Sequence, residues 1–557
     1  MKEHVNSREN FMYVNVDNVS FQMEFDDEYV DKSALISLTN NFINKSRRFI
    51  CVTRPRRFGK SVTLDMLNAY YSKGCDSRAL FSDLNIASTP DFEKHLNQHD
   101  VLFLNMMSFE DNEFNGEKYL DILNQKVVSE LKETYPDRLV KDKSYSLPDA
   151  ISSLKKRFIF IIDEWDFVFR QYPDNKKLQE DFIDLLRALF KGVGERFAEL
   201  VYMTGILPIA RYNTQSALNN FIEYTIINSG PFSQYYGFTE NEVNGLCNKY
   251  NLDFETTKFW YDGYKVGGYE IYNPSSIKKL ITLREFQSYW SDTSAYGLVK
   301  EAINLNFEGL KDDIIKLCSG DTISIPLPEI KSYNTADLNF KNKVAIYVYL
   351  VHLGYLGYND TESTIYVPNE ETRVELLNSV KENHWTQYES ALKLSEQVVV
   401  ATYNKDAETV ANLLSKIHED KVPALEYNNE SALRYVVLMA YLATESYYLA
   451  PLNEFPTGKG FADIVYLPIS ANSKSKPALI IELKKDASAK AALEQIKERD
   501  YVSRVKEYTE NILLIGINYD SNVESCVDDP NKARNNFGST FLKSNPNLTP
   551  QKLKILS

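Results

Sequence analysis

Two stretches of this chain carry residue types spaced for phosphate chemistry. Thr53-Arg-Pro-Arg-Arg-Phe-Gly-Lys-Ser61 follows an apolar run and opens a helical one. A loop at such a junction grips anions, because backbone N–H groups and the positive end of the helix converge there. Lys60 would reach the β- and γ-phosphates of a nucleoside triphosphate, and the Ser61 hydroxyl would hold Mg2+. The pattern GxxxxGK[ST] is met in part. Gly59 stands beside Lys60, but Arg54 fills the first glycine position and Pro55 offers no backbone donor. Downstream, Phe158-Ile-Phe-Ile-Ile162 ends in Asp163-Glu164. Carboxylates behind five apolar residues call for a cation or hydrogen-bond donors. As a Walker B element, Asp163 supports Mg2+ and Glu164 polarises the attacking water. The plainer alternative is a strand end emerging into solvent.

Thr204 ends the next apolar run, where its hydroxyl could contact the γ-phosphate or the water, or simply cap a turn. Arg56, Arg57 and Arg211 are candidates to neutralise developing charge, each equally readable as a solvated loop arginine.

The second stretch lies near the other end. Gly460-Phe-Ala-Asp463 is followed by Ala478-Leu-Ile-Ile-Glu482-Leu-Lys484. Side chains alternate along a strand, so Glu482 and Lys484 share a face. Pairing the two segments as a hairpin sets Asp463 beside Glu482. Two carboxylates and an ammonium then suit metal-assisted phosphodiester cleavage, with Asp463 and Glu482 as hard oxygen ligands for Mg2+ and Lys484 steadying the nucleophile or the transition state. The competing reading is an ion pair between Lys484 and one of the acids.

The elements that must position these groups follow from the apolar pattern. Residues 48–53, 101–105, 158–163 and 200–204 are continuous apolar runs, as expected of parallel strands buried on both faces, and 224–228 is a candidate fifth strand. Helical stretches such as 61–72 and 178–191 alternate with them, which predicts a three-layer α/β domain over 1–235. A helix start at Thr239 opens a helical lid or linker region over 236–400. A third region, 401–515, reads as helices near 407–418 and 429–447, strands 461–467 and 478–484, and a helix over 489–505. Residues 516–557 form a tail; its Asn-, Pro- and Lys-rich end predicts weak order.

Composition narrows the function classes. A length of 557 residues suggests two to four domains. With 63 basic against 77 acidic side chains, net charge −14, a broad nucleic-acid-coating surface is disfavoured, though a local basic groove is compatible. No apolar run is long enough to span a bilayer, and the polar N-terminus does not read as a signal peptide. Five scattered cysteines and six scattered histidines form no disulfide framework and no zinc pattern, which fits a cytoplasmic compartment. Trp260-Tyr-Asp-Gly-Tyr264 and Tyr289-Trp-Ser-Asp-Thr293 read as core packing with a turn more readily than as a base-stacking platform.

Six motifs occur in order: Tyr29-Val-Asp-Lys-Ser33, Arg54-Pro-Arg-Arg-Phe-Gly-Lys-Ser61, Asp163-Glu-Trp-Asp166, Thr204-Gly-Ile206, Trp260-Tyr-Asp-Gly-Tyr264 and Tyr272-Asn-Pro274. Together they resemble the AAA-ATPase-like family that carries a C-terminal PD-(D/E)XK nuclease-superfamily domain. The resemblance runs from about residue 25 to about 505, and Arg54-Pro55 is part of that family's pattern. It implies a P-loop NTPase parallel-sheet domain, a helical middle region and a restriction-endonuclease-like α/β domain. ATP and Mg2+ are the implied cofactors, DNA or RNA the implied partner of the nuclease-like module, and oligomers are open. Glu430 matches the family's extra acidic position, a further metal ligand. Gln495 matches its glutamine position, which would orient Glu482 or the phosphate. The alternative is a nucleotide-regulated binding or signalling switch whose nuclease-like domain does not cut.

Overall fold

The computed structural model describes residues 12–25, 28–113, 115–209, 218–290, 309–318, 320–326, 342–382, 386–421, 430–446, 448–449, 451–457, 460–468, 476–499, 501–506, 509, 511–520 and 537–543. Arg211 and residues 291–293 lie outside them. The chain divides into two compact units, Met1–Ala302 with Ser324–Thr372, and Ile303–Ile323 with Arg373–Ser557.

The first unit is built on five parallel strands: β1 (Phe49–Thr53), β2 (Val101–Asn105), β3 (Phe158–Asp163), β4 (Ala198–Gly205) and β5 (Ile222–Tyr224). Their spatial order is β2-β3-β4-β1-β5. The continuous apolar runs are explained by burial on both faces. Phe49, Cys51, Phe160, Ile162, Val201 and Met203 pack into one core cluster. Their neighbours Ile50, Val52, Ile159, Ile161, Leu200 and Tyr202 pack into the other. Helix α1 (Lys60–Tyr71) leaves the end of β1 and covers the second face through Leu64 and Leu67. Helices α2 (Tyr119–Thr134) and α3 (Lys176–Phe190) supply Leu123, Val127, Phe182 and Leu186 to the first. The fifth strand ends at Tyr224 instead of running from 224 to 228, because the chain turns at Thr225, whose N–H donates to the Asn228 carbonyl. The strand that intervenes between the P-loop and the acidic pair in sequence, β2, is an edge strand. The one that intervenes in space is β4.

Thr239 and Glu242 form a capping box that starts the helix Glu240–Tyr250, as its sequence predicts. The aromatic motif after it is core: Trp260, Tyr261 and Tyr272 are buried together. Tyr264 is also buried and stands edge-on to Phe58 of the phosphate loop, at 5.2 Å between ring centres. Its packing anchors that loop.

The second unit holds a five-stranded mixed sheet, in the order β6 (Leu452–Thr457), β7 (Gly460–Tyr466), β8 (Ala478–Lys485), β9 (Ile512–Tyr519) and β10 (Phe537–Lys543). Only β8 and β9 pair in parallel. Such a pair needs a crossover. Helix α4 (Ala489–Glu498) provides it, burying Leu493 and Ile496 against Ile480 and Leu514. It ends at Glu498, and a separate turn of helix spans Val502–Val505, where one continuous helix was expected. Tyr501, buried between them, donates its N–H to the Ile496 carbonyl five residues back (3.2 Å), outside the α-helical i→i−4 ladder. Within the stretch expected to be a weakly ordered tail, the described segment Phe537–Lys543 is a strand. Its Phe537 and Phe541 are buried, and β10 pairs antiparallel with β9. Leu542 is buried with them, so a stretch of polar composition holds three apolar anchors for an edge strand.

Candidate functional site

Strand ends and one helix start bring the first set of candidates together. Gly59, at φ +81°, caps α1, and a side chain there would be strained in the left-handed region. Arg57 two residues earlier is also left-handed, at φ +67°. The turn draws Lys60 inward, 5% exposed, with its Nζ donating to the carbonyls of Arg54 (3.1 Å) and Pro55 (2.9 Å). Burial pulls the Lys60 ammonium below its ordinary value, while Glu164, Asp163 and Asp166 oppose that fall. Asp163, 1% exposed, is the hub. Its Oδ2 accepts the Ser61 hydroxyl at 2.7 Å. Its Oδ1 accepts the Thr204 hydroxyl at 2.6 Å and the Glu164 N–H at 2.9 Å. Asp163 therefore sits between two hydroxyls drawn from β4 and the start of α1.

Glu164 is held at φ +52°, uncommon for a residue with a side chain. Its carboxylate accepts from Arg170 Nη2. Arg56 and Arg57 both line the same cavity as Lys60, Ser61 and Glu164, a space of about 1300 Å3. Arg57 Nη1 donates to the Tyr289 carbonyl at 2.9 Å, so this arginine braces the loop against a neighbouring segment. Burial lowers the Arg56 guanidinium, and Arg170 adds to the effect. Arg54 points away from the cavity. It is buried, donates to the carbonyls of Thr53 (2.8 Å) and Tyr224 (3.1 Å), and lies against the Tyr236 ring. That placement explains how an arginine replaces glycine at the start of the loop.

The donor set fits a Mg2+-nucleotide. A hydroxyl and a buried carboxylate stand 2.7 Å apart at the helix start, with an ammonium within the loop and open space over Gly59.

In the second unit, β7 and β8 pair Ile464 with Ile481, which sets Asp463 opposite Glu482 one step further on. Asp463 Oδ2 accepts the Leu483 N–H at 2.7 Å. Glu482 is 1% exposed. Its Oε1 accepts Lys484 Nζ at 2.9 Å and also Gln495 Nε2, which reaches from α4. Gln495 Nε2 in turn lies 3.2 Å from the Tyr501 hydroxyl, to which it donates. Glu482 Oε2 is buried with no hydrogen-bond partner. Burial pushes the Glu482 carboxyl above its usual range, Asp463 pushes it further, and Lys484 pulls it back. A buried oxygen without a donor beside a second carboxylate is what a divalent cation would satisfy. Among the described residues no group of three or more His, Cys, Asp or Glu side chains converges on a metal position. Glu430 begins the helix Glu430–Ala440, and its side chain lies outside the described residues.

Residues 17–214 match the model of a family described as predicted AAA-ATPase, and residues 428–528 match that of the PD-(D/E)XK nuclease superfamily. The chain joins an AAA-ATPase-like domain to a PD-(D/E)XK nuclease-superfamily domain. A relative from Azotobacter chroococcum mcd 1, an uncharacterized protein in the vnfD 5' region, is 21% identical over 511 residues, covering 90% of this chain and 94% of its own. The Aeropyrum pernix ORC2 protein, solved as ADPNP–ADP complexes, aligns over 65% of this chain and 98% of its own at 12% identity. Its TM-score is 0.28, too slight a likeness to bear on the fold.

Within the AAA-ATPase-like domain, sequence reasoning named Asp166 as the end of a motif without giving it a role, and missed Arg170. Asp166 is fully buried and accepts the N–H groups of Ile206 (3.3 Å) and Leu207 (2.9 Å), tying the end of β3 to the turn after Thr204. Arg170 Nε donates to Asp166 Oδ2 at 2.9 Å. The signal available in sequence was the i, i+4 spacing of Asp166 and Arg170 directly after the acidic strand end. No helix of the described residues is long and apolar enough to cross a membrane.

Proposed function

We propose that the AAA-ATPase-like domain binds and hydrolyses ATP, and that the PD-(D/E)XK domain cleaves a phosphodiester in DNA or RNA with a divalent metal. The observation that carries the first half is the Ser61–Asp163–Thr204 hydrogen-bonded set, whose Ser61 lines the large cavity together with Lys60. Lys60 and the N–H groups at the start of α1 bind the phosphates. Ser61 and Asp163 would hold Mg2+, which supplies charge neutralisation on the β- and γ-phosphates. Glu164 accepts the proton of the water that attacks the γ-phosphorus, and the bond to the ADP oxygen breaks with its electron pair leaving on ADP. Lys60→Ala should abolish ATP binding by calorimetry. Glu164→Gln should retain binding and stop turnover. ATP binding by Lys60→Ala at wild-type affinity would remove this reading.

For the nuclease half, the unpartnered Glu482 Oε2 beside Asp463 supports a metal position. Asp463 and Glu482 would hold the ion, which supplies Lewis acidity to the scissile phosphate. Lys484 neutralises charge on the phosphate, and Gln495 keeps Glu482 aimed. Asp463→Ala and Lys484→Ala should each abolish Mg2+-dependent cutting of single- and double-stranded DNA and RNA.

A second reading has its own support. Glu482 Oε1 is already paired with Lys484, and one Asp463 oxygen accepts a backbone N–H. A module neutralised in this way would recognise a partner under nucleotide control without cutting. Mn2+ binding at Asp463 and Glu482 separates the two readings.

A further inference from the structure

Building on the ATPase reading, we propose that Arg170 is the cation, supplied by the same chain, that meets the terminal phosphate of the nucleotide and holds Glu164 until it does. Arg170 lies on the short helix Phe167–Gln171 immediately after β3, and its side chain is only 8% exposed. It lines the cavity together with Lys60, Ser61 and Glu164, so it shares the space the phosphates would enter. Its guanidinium is forked between two acids. Nε is fixed on Asp166, whose carboxylate is itself held by the N–H groups of Ile206 and Leu207. Nη2 is on Glu164.

The two arms are not equivalent. Asp166 is locked into the turn after β4 by backbone donors and by Gly205. A Cβ on that glycine would come within 2.7 Å of Asp166 Oδ1 and 2.5 Å of the Trp165 ring. Glu164 is half-buried and faces the cavity. The Nε contact is therefore the pivot and the Nη2 contact the exchangeable arm. The Nη2 arm holds the Glu164 carboxylate and occupies an oxygen that would otherwise accept a proton from water. A γ-phosphate carries more negative charge than a carboxylate and presents a planar guanidinium with equally good acceptors. Transfer of the arm to that phosphate frees Glu164 for the water and places a positive charge where charge builds in the transition state. Proton movement stays as in the ATPase reading: water to Glu164, with ADP as the leaving group. Arg57 cannot serve in this way while it braces the Tyr289 carbonyl.

The test uses the full chain and two ligands with Mg2+: ADP alone, and ADP with tetrafluoroaluminate as a mimic of the transferring phosphoryl group. Arg170→Ala should bind ADP within about twofold of wild type, lose at least about 100-fold in affinity for the fluoroaluminate complex, and lose about 10³-fold in kcat with KM little changed. Because Arg170 and Glu164 act as a unit, Glu164→Gln/Arg170→Ala should be no more than a few-fold slower than the slower single variant. Faster turnover in Arg170→Ala would make the arginine a latch only and overturn the proposal. So would equal losses for both ligands, which mark a purely structural role. Should Arg170→Ala fail to fold, Arg170→Lys decides. It keeps the charge but not the fork, and it should lose at least tenfold more affinity for the fluoroaluminate complex than for ADP. Failure of the wild type to bind either ligand would sink the nucleotide reading and this proposal with it. Equal fluoroaluminate binding by wild type and variant would sink the arginine proposal alone.

Discussion

Replacing Glu482 by Gln separates a metal ligand from a structural ion pair by the order of two melting temperatures. Glu482 is buried, stands beside Asp463 and has one oxygen with no donor, and Lys484 compensates only the other. Glutamine keeps the shape and removes both the buried charge and its repulsion from Asp463. With EDTA present, Glu482→Gln should therefore melt at or above wild type. With Mn2+ at about 100 times its dissociation constant, wild type gains about 2.7 kcal/mol by mass action. For a unit of roughly 200 residues that gain corresponds to roughly 5–11 °C. Glu482→Gln, having lost a charged ligand, should gain little. The two melting curves thus exchange order when EDTA is replaced by Mn2+, a result readable by scanning fluorimetry of the full chain. If Glu482 is instead the partner of Lys484 and nothing more, Glu482→Gln melts below wild type in EDTA and Mn2+ moves neither protein. That outcome would refute the metal-site argument.

Three further predictions concern the first unit. Thr204→Val removes a buried hydroxyl donor from Asp163 without changing volume. It should cost roughly 2 kcal/mol in urea denaturation and slow ATP turnover, with Thr204→Ser recovering most of both. Gly205→Ala drives a methyl into Trp165 and Asp166. It should destabilise by about 1–3 kcal/mol and depress kcat more than ATP affinity, since the Arg170 pivot moves with Asp166. Burial, then Asp163 and Glu24, push the Asp65 carboxyl up to about 7 from 3.8. A raised carboxyl contributes stability that is complete below pH 3.8 and is lost as pH rises through 7. Asp65→Asn should accordingly be more stable than wild type by an amount that grows between pH 4 and pH 7 and then levels. The plateau is about 1–2 kcal/mol once solvent screening of this partly exposed group is allowed for. Denaturant midpoints at pH 4, 5.5, 7 and 8 check the trend.

Much of the fold could be read directly from the chain. Continuous apolar runs marked β1 to β4 within two residues, because parallel strands covered on both faces leave no room for polar alternation. The hairpin of β7 and β8 followed from two apolar segments separated by a polar loop, and with it the approach of Asp463 to Glu482. Ser61, Asp163 and Thr204 could be singled out because hydroxyls and an acid at the ends of buried strands have to find one another or water. Less legible was β10, whose two buried phenylalanines stand in a stretch that composition marks as polar. The role of Arg54 was also hidden. The sequence shows only that it fills a glycine's position, whereas in the structure its side chain leaves the loop and lies under β5.

Local pattern alone specified β1 to β4, β7 and β8, the helix that follows the phosphate loop, and the enclosure of Asp163 and Glu482, since those follow from neighbours a few residues apart. Contacts between distant segments settled the rest. That β4 inserts between β1 and β3, delivering Thr204 to Asp163, depends on pairing across the whole sheet. That Arg170 holds Glu164 while leaning on an aspartate anchored to the β4 turn depends on a helix folding back over a strand end. Charge pairing of this kind acts through space over a few ångströms, and only the packed chain brings such groups within that range.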